Sequence, residues 1–402
     1  MSRILLAWEL GGGFGHLAPF LSLAPRLLAR GHTLHIAARE IAGACRAVGD
    51  LPITLHQAPL CLSTYSGLQE PPLNFAEILM RYGYLDPPML RAMITAWRTL
   101  LDMTRAELLI ADHAPTALLA ARLSGMPTAV IGTPFSVPPD LHPTPNMRPW
   151  VEVPAARLAD SDARVLAVVN MALPAGAEPV TAIRAIFSGA AQFFLGVPET
   201  DPYGPRDAAI YVGPSNRGTG TALPAWPDGP GKRVLVYLRG DYRHAEATMN
   251  ALAARGARVI AYVPGADQKL VQLMTTLGVA VAAEPVDMVR LLRQADICVA
   301  NGPGTALAAL QAGVPVLMLP TQLENFLFAL ALQRKGVGAV IHPDQASPDF
   351  AGALADLLAG DKYAAGARAF AERYPDTTVG TIAEQVVARI EALTAGHQEG
   401  RA

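Results

Sequence analysis

Residues 296–341, DICVANGPGTALAALQAGVPVLMLPTQLENFLFALALQRKGVGAVI, leave the chain few ways to fold. The apolar run 296–300 has the length and composition of a strand covered on both faces. Asn301-Gly302-Pro303-Gly304-Thr305 then breaks it, and 305–312 resumes at helical period. A second apolar strand, 314–319, runs into Pro320; Gln322, Glu324 and Asn325 follow, then another apolar helix and a last strand. Alternation of this kind predicts a parallel sheet with right-handed crossovers. The glycine-rich turn presents unpaired backbone N–H groups, and the positive end of a helix dipole, at the carboxyl end of a strand. A phosphate fits there, and the neighbouring strand end offers hydrogen-bonding side chains to a polyhydroxylated group.

The amino terminus opens in the same way. Residues 4–8 read as a strand and Gly11-Gly12-Gly13-Phe14-Gly15-His16 as the turn after it. An apolar helix over 17–30 stops at Gly31, and 33–38 is the next strand. Gly11-x-Gly13-x-x-His16 lacks the third glycine of a dinucleotide-binding fingerprint. His16 closes that turn, where it can line the first turn of the helix, and its imidazole titrates near neutral pH. A base of this kind works better with a carboxylate on its other ring nitrogen. Asp112 ends a strand over 107–111, where a carboxylate can serve such a base or cap a helix over 114–124; the resemblance named below implies the former. Strand alternation turns the adjacent His113 away from it.

At 402 residues the chain can build two domains with full cores. Charged residues are only 16% and the net charge is −2, which leaves no electrostatic footprint for nucleic acid. Although 51% of residues are hydrophobic, charges and prolines interrupt every apolar run short of the ~18 residues a membrane-spanning helix needs. Residues 4–8 are too short for a signal-peptide core. Cys45, Cys61 and Cys298, few and unspaced, suggest a reducing cytoplasm, with Cys298 packed inside a strand. Peripheral contact with a membrane stays open.

A first domain is expected over 1–213, a linker rich in Gly and Pro over 214–231, and a second domain over 232–377, with a helix over 378–395 returning to the first. Residues 59–103 are the least regular part of the first half. Tyr65, Phe75, Tyr82 and Tyr84 from this stretch, with Phe14 and Phe135, suit the lining of an apolar pocket or a core. The proline-rich stretch 134–154 reads as a loop. Asp160-Ser161-Asp162 has metal-binding spacing but lies in a polar helical stretch, where a solvated face is expected.

The block 296–341 resembles the donor-binding signature of the UDP-glycosyltransferase-like family with the GT-B fold. Gly304-Thr305, Leu310, Gly313-Val314-Pro315, Pro320 and Ala329 fall in register with it. Gly15-His16-Leu17-x-Pro19 and Arg30-Gly31-His32 resemble the same family's amino-terminal pattern. The resemblance implies an α/β architecture of two facing, doubly wound, Rossmann-like parallel-sheet domains with a cleft between them. It implies an inverting hexosyltransferase that moves a sugar from a UDP or dTDP donor to a hydroxyl of an apolar small-molecule or lipid-like acceptor, without metal or cofactor. His16 would be the base and Asp112 its orienter; Asn301, Gly302, Gly304 and Thr305 would hold the diphosphate. The family's diphosphate-binding histidine falls on Ala300 or Asn301, and Arg239 is placed to supply the charge lost with it. The acidic residue of the family's EAL falls on Ala308, and Glu324-Asn325 replaces an Asp-Gln pair that contacts the donor sugar. Val286, in Glu284-Pro285-Val286-Asp287, occupies the loop whose backbone reads the base. Two further readings are a catalytically silent relative that binds a partner, and a nucleotide-sugar epimerase.

Overall fold

The computed structural model describes residues 1–12, 14–213, 220–359, 361–375 and 378–399, without the side chains of 14, 359, 378–381 and 396–399. Two compact units are present. The first comprises Met1–Leu195, Arg206–Tyr211 and Ala383–Ala402, the second Gly196–Pro205 and Val212–Ile382.

The first unit is built on seven parallel strands: β1 (Arg3–Trp8), β2 (Thr33–Ala38), β3 (Ile53–Gln57), β4 (Leu108–Asp112), β5 (Thr128–Gly132), β6 (Ala191–Phe194) and β7 (Ala209–Tyr211). Their order is β3-β2-β1-β4-β5-β6-β7, so the winding reverses between β1 and β4. β1 and β4 pair from Ile4↔Leu108 to Trp8↔Asp112, which brings their carboxyl ends side by side. In open sheets of this type, that reversal is where ligands bind. One face of the sheet, through Leu5, Ala7, Leu109 and Ala111, packs on helices that contribute Leu79, Ile94, Trp97 and Leu118.

The segment 59–103 is more regular than its sequence suggests. An 18-residue helix, Pro87–Thr104, starts from Asp86, whose carboxylate accepts from Met89 N at 3.1 Å, and buries Leu90, Met93, Ile94, Trp97, Leu100 and Leu101 along one face. The helix Thr378–Glu399 brings Val386, Val387 and Ile390 into the buried set. Within the first unit its Glu384 and Glu391 accept hydrogen bonds from Arg26 and Arg30 at 2.6–2.9 Å.

The second unit has six parallel strands: β8 (Arg233–Tyr237), β9 (Arg258–Tyr262), β10 (Ala280–Ala282), β11 (Ile297–Ala300), β12 (Val316–Met318) and β13 (Gly338–Val340). The order β10-β9-β8-β11-β12-β13 reverses between β8 and β11. Cys298 is fully buried in β11, and burial pushes its thiol up to about 12, the behaviour of a packing residue. Gly196–Pro205, expected with the first domain, clusters with the second unit. Glu199 explains this: it accepts from the Tyr374 hydroxyl at 2.6 Å and pairs with Arg373. Part of the expected linker, 214–219, lies outside the described residues.

Of Asp160-Ser161-Asp162, only Asp160 lies on the expected solvated face. The helix Ala155–Ala172 turns Ser161 and Asp162 inward. Asp162 accepts from Thr144 N (2.7 Å), Thr144 Oγ1 (3.0 Å) and Asn74 Nδ2 (3.2 Å), while the Ser161 hydroxyl contacts Glu77. A buried carboxylate needs such partners, and three neutral donors supply them.

Candidate active site

In the first unit the reversal point carries a histidine–aspartate pair. β1 ends at Trp8, the chain turns through Gly11, and a short 3-10 turn, Phe14–His16, precedes the helix Ala18–Ala29. His16 Nδ1 lies 2.9 Å from Asp112 Oδ1, and Trp8 stacks on the imidazole with centroids 5.4 Å apart. The two side chains are 16% and 2% exposed, so the carboxylate is enclosed while the histidine keeps a path out. Burial holds the Asp112 carboxyl above its usual range, and the bond to His16 opposes that shift. Asp112 does not cap the following helix: Ala114 occupies that position with no side-chain bond.

Two glycines make room for the pair. A Cβ on Gly132 (φ +120°) would stand 2.7 Å from Asp112 Oδ1, and one on Gly11 (φ +77°) would stand 2.5 Å from His16 Nε2. Both positions therefore exclude side chains on steric and backbone grounds.

A second carboxylate lies beneath. Glu9 accepts from Thr116 N (3.0 Å) and Thr116 Oγ1 (2.6 Å), and Tyr84 OH lies 2.9 Å from that hydroxyl. Glu9 thereby caps the helix Pro115–Leu123 from the segment just after β1. Full burial pushes its carboxyl up to about 7, against those hydrogen bonds.

The expected acceptor-lining residues divide. Phe75 and Tyr84 are fully buried, Phe75 edge-on to Phe187, so their side chains pack the core. Phe135 is 7% exposed and also interior. Tyr82 and Tyr65 are half-buried, with Arg39 over the Tyr82 ring and Cys61 Sγ 3.7 Å from the Tyr65 hydroxyl. The Phe14 side chain lies outside the described residues.

In the second unit the helix after β11 runs Pro303–Gln311, two residues earlier than its period suggests, because Pro303 is pre-shaped for the first helical position. Gly302 is the N-cap, and the first intrahelical bond is Ala306 N–H to Gly302 O at 3.3 Å. The N–H groups of Gly304 and Thr305 thus belong to the helix's open end, and no side chain approaches the Cβ position of Gly304. Asn301 spends both halves of its amide inside the protein. Its Oδ1 accepts from Arg239 N at 2.8 Å and its Nδ2 donates to Leu319 O at 2.6 Å, tying together the chain beyond β8, β11 and β12. Arg239 in turn gives its guanidinium to Asp241 at 2.9 and 2.6 Å. The Asn301 side chain thus clamps these segments together, and the Arg239 guanidinium is paired with the exposed Asp241.

Glu324 and Asn325 occupy the first turn of the helix Leu323–Arg334, half-buried. Val286 is buried, and flanking backbone bonds to Ala222 (Ala222 N to Pro285 O, Asp287 N to Ala222 O) hold its loop against the chain that enters the unit. Among the described residues no group of three or more His, Cys, Asp or Glu is arranged to hold a metal, and no helix is long and apolar enough to cross a membrane.

These two sheets and their strand orders are the GT-B fold of glycosyltransferases. No protein-family model matches the sequence. The chain is 26% identical over 329 residues to a PGL/p-HBAD biosynthesis glycosyltransferase of Mycobacterium tuberculosis, covering 75% of each chain. Among solved structures it is similar to spinosyn forosaminyltransferase SpnP (TM-score 0.62, 18% identity, 98% and 99% of the two chains). It is also similar to spinosyn rhamnosyltransferase SpnG in complex with thymidine diphosphate (TM-score 0.63, 18% identity, 96% and 99%). The homologues are glycosyltransferases with a matching fold.

Proposed function

We propose that the protein transfers a hexosyl group from a UDP- or dTDP-linked donor to a hydroxyl of an apolar small-molecule or lipid-like acceptor, with inversion and without a metal. The observation that carries this reading is the 2.9 Å contact between His16 Nδ1 and Asp112 Oδ1 at the reversal point of the first sheet. Asp112 holds the Nδ1–H tautomer, so Nε2 bears the lone pair, and the partly exposed ring keeps a path to solvent. His16 Nε2 takes the acceptor's hydroxyl proton as that oxygen bonds to the anomeric carbon. The bond from that carbon to the diphosphate oxygen breaks, and its electron pair leaves with the nucleotide. Asp112 stabilises the imidazolium that forms. The open end of the helix Pro303–Gln311, through the N–H groups of Gly304 and Thr305, meets the charge on the leaving diphosphate without a cation. Glu324 and Asn325 are proposed to contact the donor sugar, and the loop at Val286 the base. The thymidine diphosphate bound to SpnG supports a dTDP-type donor.

Melting temperatures measured with UDP, dTDP, GDP and ADP test the donor half. A ligand of the folded state raises the melting point, so dTDP or UDP is expected to stabilise selectively. Absence of a shift with all four would leave the silent-relative reading in its place.

A further inference from the structure

His113 follows Asp112 and has no role in the pair just described, yet its placement is costly. Its backbone sits at φ +48°, in the left-handed region where non-glycine residues are uncommon. Its ring is buried, tilted against Phe75 at 5.9 Å and 6.3 Å from the His16 ring. Nε2 is enclosed with no hydrogen-bond partner among the described residues. Its backbone carbonyl accepts from Leu10 N at 2.9 Å, which fixes the ring beside the turn at Gly11.

Gly11, whose missing Cβ makes room for the His16 ring, also lies beside His113. A point built on Gly11 at the Cβ position lies 2.5 Å from His16 Nε2 and 3.4 Å from His113 Nδ1, so the two nitrogens are no more than ~6 Å apart, a span that one oxygen bridges with a hydrogen bond to each. We propose that His113 is a second substrate-contacting residue: its Nδ1–H donates a hydrogen bond to the acceptor's reacting oxygen, holding it against His16 Nε2. Burial favours the neutral ring, pulling its pKa down to about 3. A proton on Nδ1 is the cheaper tautomer, because a donor hydrogen on the enclosed Nε2 would have no acceptor. The ligand class is a phenol or alcohol presented to two neutral imidazoles, one accepting and one donating. This proposal rests on the transferase reading for the identity of the oxygen.

The test is a fluorescence titration with 4-methylumbelliferone, a phenol, at saturating dTDP. It compares wild type with His113→Asn, since Asn tolerates the left-handed backbone. Gly11→Ala, which fills the shared gap, is a second variant. Loss of one neutral hydrogen bond is expected to weaken phenol binding by about three- to tenfold. The dTDP dissociation constant and the melting temperature, read separately, are both expected to stay close to wild type, whereas a structural defect of the first unit would lower the melting temperature. Equal phenol affinity in wild type and His113→Asn overturns the proposal, as does a wild type that does not bind the phenol. Phenol binding that depends on His113, in a protein that transfers no sugar, would instead overturn the transferase reading and leave the two-imidazole site standing.

Discussion

His113 also makes a quantitative prediction for stability in acid. Its imidazole is held near a pKa of 3 by burial, against 6.5 for an exposed histidine. A base with a depressed folded pKa binds fewer protons folded than unfolded throughout that interval. Stability is therefore full above pH 6.5 and falls as the pH drops from 6.5 towards 3. At pH 4 the folded ring is still mainly neutral while the unfolded one is charged. The interval from pH 4 to 6.5 is worth about 3 kcal/mol, at ~1.4 kcal/mol per pH unit. His113→Asn removes this linkage. Guanidinium unfolding followed by the fluorescence of Trp8 and Trp97, both buried in the first unit, measures it at pH 8 and pH 4. Wild type is expected to lose about 3 kcal/mol more than the variant between these pH values. The comparison between pH values cancels whatever the asparagine itself costs. Parallel losses in the two proteins would refute the assignment of a buried, neutral imidazole.

Glu9 gives the opposite slope. Its folded value near 7 lies above the ordinary 4.5, so the folded state keeps a proton that the unfolded state has released, and stability falls as pH rises from 4.5 to 7. Denaturation of Glu9→Gln is expected to show that fall reduced by roughly 3 kcal/mol; an unchanged pH profile would remove Glu9 from the account. Asp112→Asn is expected to lower kcat by on the order of 10³-fold in a transfer assay, with donor affinity kept, because the amide no longer enforces the Nδ1–H tautomer. Gly132→Ala drives a Cβ towards the Asp112 carboxylate and strains a positive-φ backbone. It is expected to reduce transfer as Asp112→Asn does and to cost about 1–2 kcal/mol in urea unfolding. Thr305→Val keeps the shape of a buried residue without its hydroxyl, and calorimetry is expected to show donor binding weakened roughly tenfold.

The folding units were legible where the chain is periodic. Apolar runs around 4–8, 33–38, 297–300 and 316–318 became central parallel strands because only β-rich segments bounded by glycine turns fit a sheet covered on both faces. The pairing of His16 and Asp112 was legible because Asp112 ends one strand and His16 closes the glycine turn that follows another, and the Trp8↔Asp112 register brings those strand ends together. Long-range partnerships were not. Nothing local tells that Glu9 caps a helix at Thr116, that Asp162 turns inward to Thr144, or that Asn301 clamps Arg239 and Leu319. Alternation along β4 could not tell that His113 approaches the His16 ring, because the backbone leaves extended geometry there for φ +48°. The one signal for it was Gly11 in a run of three glycines, a turn with no side chains to fill the space between two rings.

The most direct test of the central claim is the anomeric configuration of the product. Wild type, His16→Asn and Asp112→Asn are incubated with dTDP-rhamnose or UDP-glucose and 4-methylumbelliferone, and the new glycoside's anomeric proton is read by NMR. The account predicts a wild-type product of inverted configuration, and loss of transfer in His16→Asn while dTDP still raises its melting temperature. A product of retained configuration, or a wild-type rate that His16→Asn matches, would contradict it.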